Sequence, residues 1–249
     1  GVSALLNQPG INFIKGEAHF VSDHVVEVNG KRMEAENIII ATGSRSKMPP
    51  FMKEEDIRNQ PEGEQHIVTS TELLSIKEIP QRITIIGAGV IGMEFASAFA
   101  AFGSEVTVIE FMKECLPPVD SDIAKRLRKT LEKRGVTFYM QSAVRQIITS
   151  SGNGLNATTV VFDRKGKEQT VETDLVLIAT GRQPNVENIG LESAGIEFTP
   201  RGIMVDDNKC KRRLRHRRCQ CTPDAGTCCN FPGFPCCQPH SRQERLHPV

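Results

Sequence analysis

The sequence predicts an α/β fold, a parallel sheet flanked by helices with an antiparallel layer appended to it. Two continuous apolar runs, Asn37–Ala41 and Leu175–Ala179, read as strands covered on both faces. Between them, Arg82–Glu110 runs strand, glycine turn, apolar helix, strand, a succession of about thirty residues that suits a right-handed crossover between parallel strands. Turn signals at Asn29-Gly30 and Asp163–Gly166 sit between β-branched runs, which marks hairpins and hence the antiparallel layer.

Taken in order, Ile11–Ile14, His19–Val21 and Val25–Val28 are short β-forming runs. Asn37–Ala41 closes in Thr42-Gly43-Ser44, and Pro49-Pro50 then forbids helix or sheet. Met52–Gln65 is polar without a period, and Thr69–Ile76 predicts a short helix capped by Ser70 or Thr71. Arg82–Ile86 is a strand, Gly87–Gly92 a turn, Met93–Phe102 a buried helix stopped by Gly103, and Glu105–Ile109 a strand closed by Glu110. Asp120 or Ser121 starts an amphipathic helix with Ile123, Leu127 and Leu131 at four-residue spacing, ended by Gly135. Val136–Met140, Thr158–Phe162, Thr170–Glu172 and Leu175–Ala179 complete the strands, and the last again exits through a Thr-Gly pair, Thr180-Gly181.

The 249 residues carry a formal net charge of +1, with 39% hydrophobic and 24% charged residues, the composition of a globular protein of one large or two small domains. That balance averages two unlike pieces. Lys209–Val249 holds nine Lys/Arg against two Asp/Glu and seven of the eight cysteines; Cys115 alone lies before it. A cysteine-poor body points to a reducing compartment, the cytoplasm or an organelle matrix. Gly1–Gly10 has no basic patch followed by an apolar core, so no signal peptide is expected, and without an initiator Met the sequence is expected to start within a longer protein. Ile83–Phe102 is apolar enough to resemble a membrane span, but Glu94 and three glycines favour a buried strand, turn and helix.

Gly87-x-Gly89-x-x-Gly92 is weak by spacing and strong by context, because it follows an apolar strand and opens an apolar helix, with Glu110 eighteen positions past the last glycine. Gly87 permits the tight turn, Gly89 lets a pyrophosphate approach, and Gly92 lets helix and strand pack closely. The helix N-terminus offers unpaired N–H groups to phosphates. Glu110 can accept both ribose hydroxyls and would repel a 2′-phosphate, which favours NAD(H) over NADP(H), although Lys113 is near and basic. The alternative is a packing turn with an unrelated carboxylate. Glu94, on the first turns of the helix, reads as a surface or helix-dipole carboxylate as readily as a cofactor contact.

The stretches Ile83–Ala96 (I-T-I-I-G-A-G-V-I-G-M-E-F-A), Val106–Phe111 (V-T-V-I-E-F), Ile39–Ser44 (I-I-A-T-G-S), Ile178–Asn185 (I-A-T-G-R-Q-P-N) and Gly190–Asn208 resemble the FAD-dependent pyridine nucleotide–disulfide oxidoreductases, most of all those members that oxidise dihydrolipoyl groups. The likeness covers about residues 10–208. It implies a Rossmann-like NAD-binding domain over residues 79–188, inserted in a partial FAD-binding domain over 1–78 with an antiparallel β layer, and a return segment over 189–208. By the same resemblance Gly87, Ala88, Gly89, Val90, Ile91, Gly92, Met93, Glu94 and Glu110 would hold NAD, with Val144 and Gly181 lining the site. Ala18, Thr42, Gly43 and Ser44 would touch FAD.

Family members pass electrons from dithiols through a redox disulfide and FAD to NAD, as homodimers, and a lipoyl-bearing protein is the implied partner of the intact enzyme. Parts of that pattern are missing here. There is no glycine fingerprint for FAD, no Cys-x-x-x-x-Cys pair, and no interface domain with its His-Glu pair; His240 and His247 lie in unrelated surroundings. No catalytic residue is therefore assigned, and the chain is expected to be a fragment inactive by itself. Residues 209–249 read as disordered, because a proline-rich segment with few aliphatics buries no core, or as frameshifted. A shifted frame over Cys221–Phe234 can encode A-R-R-M-L-A-H-V-A-T-F-Q-G, whose A-H-x-A-x-x-x-G the resemblance implies soon after Val205–Asn208. Metal or nucleic-acid binding through its Cys and Arg residues is the competing reading, but adjacent Cys-Cys pairs chelate poorly. Neither a resident metal, a nucleic acid nor a membrane is expected.

Overall fold

The computed structural model describes residues 1–60, 65–150, 157–205 and 219–220. The chain forms two units, Gly1–Arg45 with Gln183–Val249, and Ser46–Arg182. It thus passes between them at 45/46 and 182/183, where the sequence pattern placed the passages at 78/79 and 188/189.

In the first unit a short helix, α1 (Val2–Leu6), precedes the antiparallel meander β1 (Ala18–Phe20), β2 (Val25–Val28) and β3 (Lys31–Glu34). Asn29 and Gly30, at φ 52° and 75°, make the hairpin turn that the Asn-Gly pair predicts. Ile11–Ile14, expected as a strand, is none. Ile11, Phe13 and Ile14 are exposed, and among the described residues no strand lies beside them to complete their backbone hydrogen bonds. The run Asn37–Ala41 contributes only β4 (Ile38–Ile39). Ile40 is buried, but Ile39 is 60% exposed, so the strand is covered on one face and not on two as its apolar run suggested. The chain leaves this unit through β5 (Ser44–Ser46).

The second unit opens with α2 (Glu54–Arg58), β6 (Ile67–Thr69) and α3 (Ser70–Leu73). Neither α2 nor β6 was expected, and α3 is capped by Thr69, whose hydroxyl accepts from Thr71 N while Glu72 accepts Thr69 N. Then follow β7 (Arg82–Ile86), α4 (Val90–Phe102), β8 (Glu105–Glu110), α5 (Ser121–Lys133) and β9 (Thr137–Met140). The antiparallel strands β10 (Ser142–Ser150), β11 (Ala157–Arg164) and β12 (Lys167–Thr173) precede β13 (Leu175–Ile178). A parallel sheet of order β6-β13-β7-β8-β9 is the centre of the unit.

Alternation along its strands explains both faces. Ile83, Ile85, Val106, Val108, Leu175 and Leu177 pack under Met93, Ala96 and Phe99 of α4 and Ala124 and Leu131 of α5. Ile86, Ile109, Val176 and Ile178 pack against Val160 and Phe162 of β11. Helices cover one face and the antiparallel layer the other. The apolar stretch Ile83–Phe102 is accordingly a strand, a turn and a 13-residue helix, and among the described residues no helix is long and apolar enough to cross a membrane.

The chain returns through β14 (Arg182–Pro184), and β15 (Phe198–Thr199) pairs with β16 (Gly202–Ile203). Val186, Leu191, Ala194 and Ile196 join Phe20 and Ile40 in the core of the first unit. Within the stretch 209–249, only β17 (Cys219–Gln220) is described, a two-residue strand parallel to β4. The remaining cysteines of that stretch, with His240 and His247, lie outside the described residues.

Candidate nucleotide site

β7 runs to β8 on one side of the sheet, while β13 returns on the other side of β7. The order therefore reverses between β7 and β13, and the carboxyl ends of strands at such a reversal leave a crevice suited to ligands. Register places three segments there. Ile86 is level with Ile178 of β13 and with Ile109 of β8, so Gly87 and Ala179 follow the ends of β7 and β13 at the level of Glu110, the last residue of β8.

The three glycines of the turn differ in what surrounds them. Gly87 sits at φ 105°, and a Cβ there would lie 2.4 Å from the Ala179 carbonyl oxygen. At Gly92 a Cβ would lie 2.0 Å from the Gly87 oxygen and 3.3 Å from Ile85 Cγ2, so helix α4 reaches the sheet only without a side chain. Around Gly89 a Cβ would meet nothing within 4 Å. Gly89 is the N-cap of α4 with no side chain capping it, which leaves the first-turn N–H groups of Val90 and Ile91 directed out of the helix end.

The turn itself is tied down. Gly87 N donates to Ile109 O at 2.9 Å, Ala88 N donates to Glu110 Oε2 at 2.5 Å, and Leu116 N donates to Ala88 O at 2.9 Å. Glu110 is buried, and its Oε1 accepts Met112 N at 2.7 Å. Each carboxylate oxygen keeps a second lone pair after these bonds. Met93 is buried beneath the turn, while Glu94 is exposed. Val144 is half-buried against the cluster containing Ile86, Ile109 and Ile178, the last apolar residues of the three strands. Gly181 has φ 113°, and its carbonyl accepts Lys47 N at 2.9 Å.

The residues assigned to FAD belong to the first unit. Ala18 is exposed in β1 opposite Val28, and Thr42 and Gly43 are exposed with Ser44 half-buried. Asn185, the last residue of the Ile178–Asn185 stretch, organises them. Thr42 Oγ1 donates to Asn185 O at 2.6 Å, Asn185 N donates to Gly43 O at 3.0 Å, and Asn185 Nδ2 donates to Thr42 O at 3.0 Å. The second Thr-Gly pair is held the same way, with Thr180 Oγ1 donating to Lys47 O at 2.6 Å. Lys47 stands five residues after Thr42, and Asn185 five after Thr180. An amide side chain bridging a strand exit leaves no periodic trace in a sequence. Among the described residues the first unit has no glycine turn opening a long helix.

Cys115, the remaining thiol outside the tail, is buried, with Sγ donating to Ala124 O at 3.4 Å. Burial, with the neighbouring Glu114 carboxylate, pushes it up to about 11, so it stays protonated near neutrality and is no candidate for thiol exchange. Among the described residues no three His, Cys, Asp or Glu side chains gather as a metal site.

A family model described as pyridine nucleotide-disulphide oxidoreductase matches residues 1–216. The chain belongs to that family. The match runs past residue 208, where the resemblance read from motifs broke off. The pyridine nucleotide-disulphide oxidoreductases are flavoprotein oxidoreductases using FAD and a nicotinamide nucleotide, and relatives of this chain include the dihydrolipoyl dehydrogenase of Bacillus subtilis, 37% identical over 219 residues, 86% of this chain and 44% of that protein. Leghemoglobin reductase of Vigna unguiculata is 36% identical over 214 residues, 83% of this chain and 39% of that protein. Among solved structures, the HOCl-induced flavoprotein disulfide reductase RclA from Escherichia coli superposes with a TM-score of 0.71 at 32% identity, covering 88% of this chain and 47% of that one. The chain thus spans about half the length of the relatives it matches.

Proposed function

We propose that the second unit binds NAD(H), and that the whole protein to which this chain corresponds is a dihydrolipoamide dehydrogenase-like reductase passing electrons from dihydrolipoyl thiols through FAD to NAD. The carrying observation is the division of labour in the turn: two glycines are filled by the protein's own backbone, while the space at Gly89 stays open beside an uncapped helix end. That space fits a pyrophosphate, and Glu110 on the adjacent strand fits the adenosine ribose. Bound nicotinamide would supply the hydride-carrying ring. The chain's own residues bind and orient it: the first-turn N–H groups of α4 take the phosphates, and Glu110 accepts the ribose hydroxyls while opposing a 2′-phosphate by charge and by loss of hydrogen-bonding room. Glu94 would face the nicotinamide side, and Val144 and Gly181 would line the approach.

The given sequence has no Cys-x-x-x-x-Cys pair and Cys115 is buried, so this chain by itself is proposed to bind nucleotide without turning over lipoamide. Equilibrium titration by nicotinamide fluorescence tests the reading. NADH should bind with saturation and NADPH at least about tenfold more weakly, the cost of a carboxylate–phosphate clash of roughly 1.4 kcal/mol or more. Glu110→Gln should shrink that preference. Absence of NADH binding, or tighter NADPH binding, would refute it. Similarity to RclA and to leghemoglobin reductase supports a second reading of the whole protein, a reductase of another disulfide or acceptor, since the residues here address nucleotide and not the electron donor.

A further inference from the structure

We propose that the Arg128–Glu114 pair is a positioning device for the dinucleotide turn, aiming the Gly89 N–H at the pyrophosphate from α5. The inference rests on reading the turn as a dinucleotide site. Arg128 Nε donates to Glu114 Oε1 at 2.7 Å and Nη2 donates to Oε2 at 3.1 Å, a two-pronged pair whose side chains are only 21% and 17% exposed. Glu114 Oε1 also accepts Cys115 N at 3.1 Å, and Cys115 is fixed from the far side by its bond to Ala124 O. Both anchors lie on or against α5, so the loop after β8 is held at two successive residues.

The next residue, Leu116, is buried at φ 50°, the left-handed region that a leucine adopts only when its surroundings hold it there. In that conformation its N–H meets Ala88 O at 2.9 Å. A trans peptide points its C=O and N–H in opposite directions. Holding the Ala88 carbonyl inward therefore turns the Gly89 N–H outward, into the space left open around Gly89. Glu110 fixes the other peptide of Ala88 through its N–H. The two carboxylates thus have separate roles. Glu110 is placed to meet the ribose, whereas Glu114 is satisfied by Arg128 and acts through the loop.

The test compares two probes on the full chain, ADP-ribose, which carries the pyrophosphate, and adenosine, which does not, by calorimetric or competition titration. Arg128→Met should weaken ADP-ribose binding about tenfold while changing adenosine binding less than about twofold, because only the phosphate donor is misaimed. Arg128→Lys keeps the charge without the planar fork and should give a smaller loss in the same direction, about threefold for ADP-ribose. Should Arg128→Met fail to fold, the lysine variant decides between the outcomes. An ADP-ribose to adenosine ratio unchanged in a folded variant overturns the proposal, as does an equal loss for both probes, the mark of a merely structural pair. If the unaltered chain binds neither probe, the nucleotide reading falls first and this one with it.

Discussion

At the scale of single residues, the glycines of the turn carry different burdens, and substitution separates them. A methyl at position 92 would sit 2.0 Å from the Gly87 carbonyl, so Gly92→Ala must lift α4 off the sheet and should cost about 1–3 kcal/mol, the range for overpacking. A methyl at position 89 meets no protein atom. Gly89→Ala should leave the unfolding free energy from a urea titration within about 0.5 kcal/mol of the parent, yet weaken NADH binding about tenfold or more, because the methyl stands where a phosphate must approach. Equal stability loss in both, or an unaffected NADH titration for Gly89→Ala, would mean the open space is not the ligand's. The packing roles of Gly87 and Gly92 were legible in the sequence because glycine is chosen where a side chain cannot fit, and both positions are closed by backbone atoms. Leu116 and Asn185 were not legible. A leucine at φ 50° is held by its neighbours rather than by its own preference, and no spacing announces it.

At the scale of elements, the ties around α5 give the fold a pH dependence. The Arg128 hydrogen bonds outweigh burial and hold the Glu114 carboxyl at about 2, against an ordinary value of 4.5. A carboxyl with a depressed folded value contributes stability above its unfolded value and loses it as pH falls through the folded one. The pair's contribution is therefore full at pH 5 and above and fades between about 4.5 and 2. Discounted for solvent, it amounts to roughly 1–2 kcal/mol. Arg128→Met should unfold at lower urea than the parent at pH 7, with the gap narrowing to less than about half by pH 3 and closing only below pH 2; a gap constant across that range would assign the loss to packing of the arginine stem instead.

The helix itself was predicted from Ile123, Leu127 and Leu131, but four-residue spacing advances about 40° beyond a full turn at each step. Only Leu131 and the unremarked Ala124 are buried, and Ile123 is 56% exposed. β7, α4 and β8 were legible because their apolar runs are long and their turn is punctuated by glycine. β10 was not, for a bulge between Val144 and Gln146 breaks its alternation. The reciprocal holds on the two Thr-Gly exits belong to the same scale: the motif was visible twice, but its hydrogen bonds run between residues more than 130 positions apart.

At the scale of the whole molecule, the two units differ in what their cores rest on. The second has its parallel sheet buried between helices and the antiparallel layer, whereas the first gathers Phe20, Ile40, Leu191 and Ile196 into one smaller cluster. β6 is three residues long, too short to show a period, and its register of Ile67 with Val176 makes it part of the second unit's sheet. This division fixes where ligand binding must be felt. NADH at a hundred times its dissociation constant stabilises the state that binds it by about 2.7 kcal/mol, roughly a hundredfold in the opening equilibrium. If the nucleotide site belongs to the second unit, amide hydrogen exchange should slow by that order in β7, β8 and β13, whose carboxyl ends bear the turn, Glu110 and Gly181. The meander β1–β3 should keep its exchange rates. Protection appearing first in β1–β3 would move the nucleotide to the other unit and leave Glu110 a structural carboxylate, its two backbone bonds to Ala88 and Met112 being then its whole function.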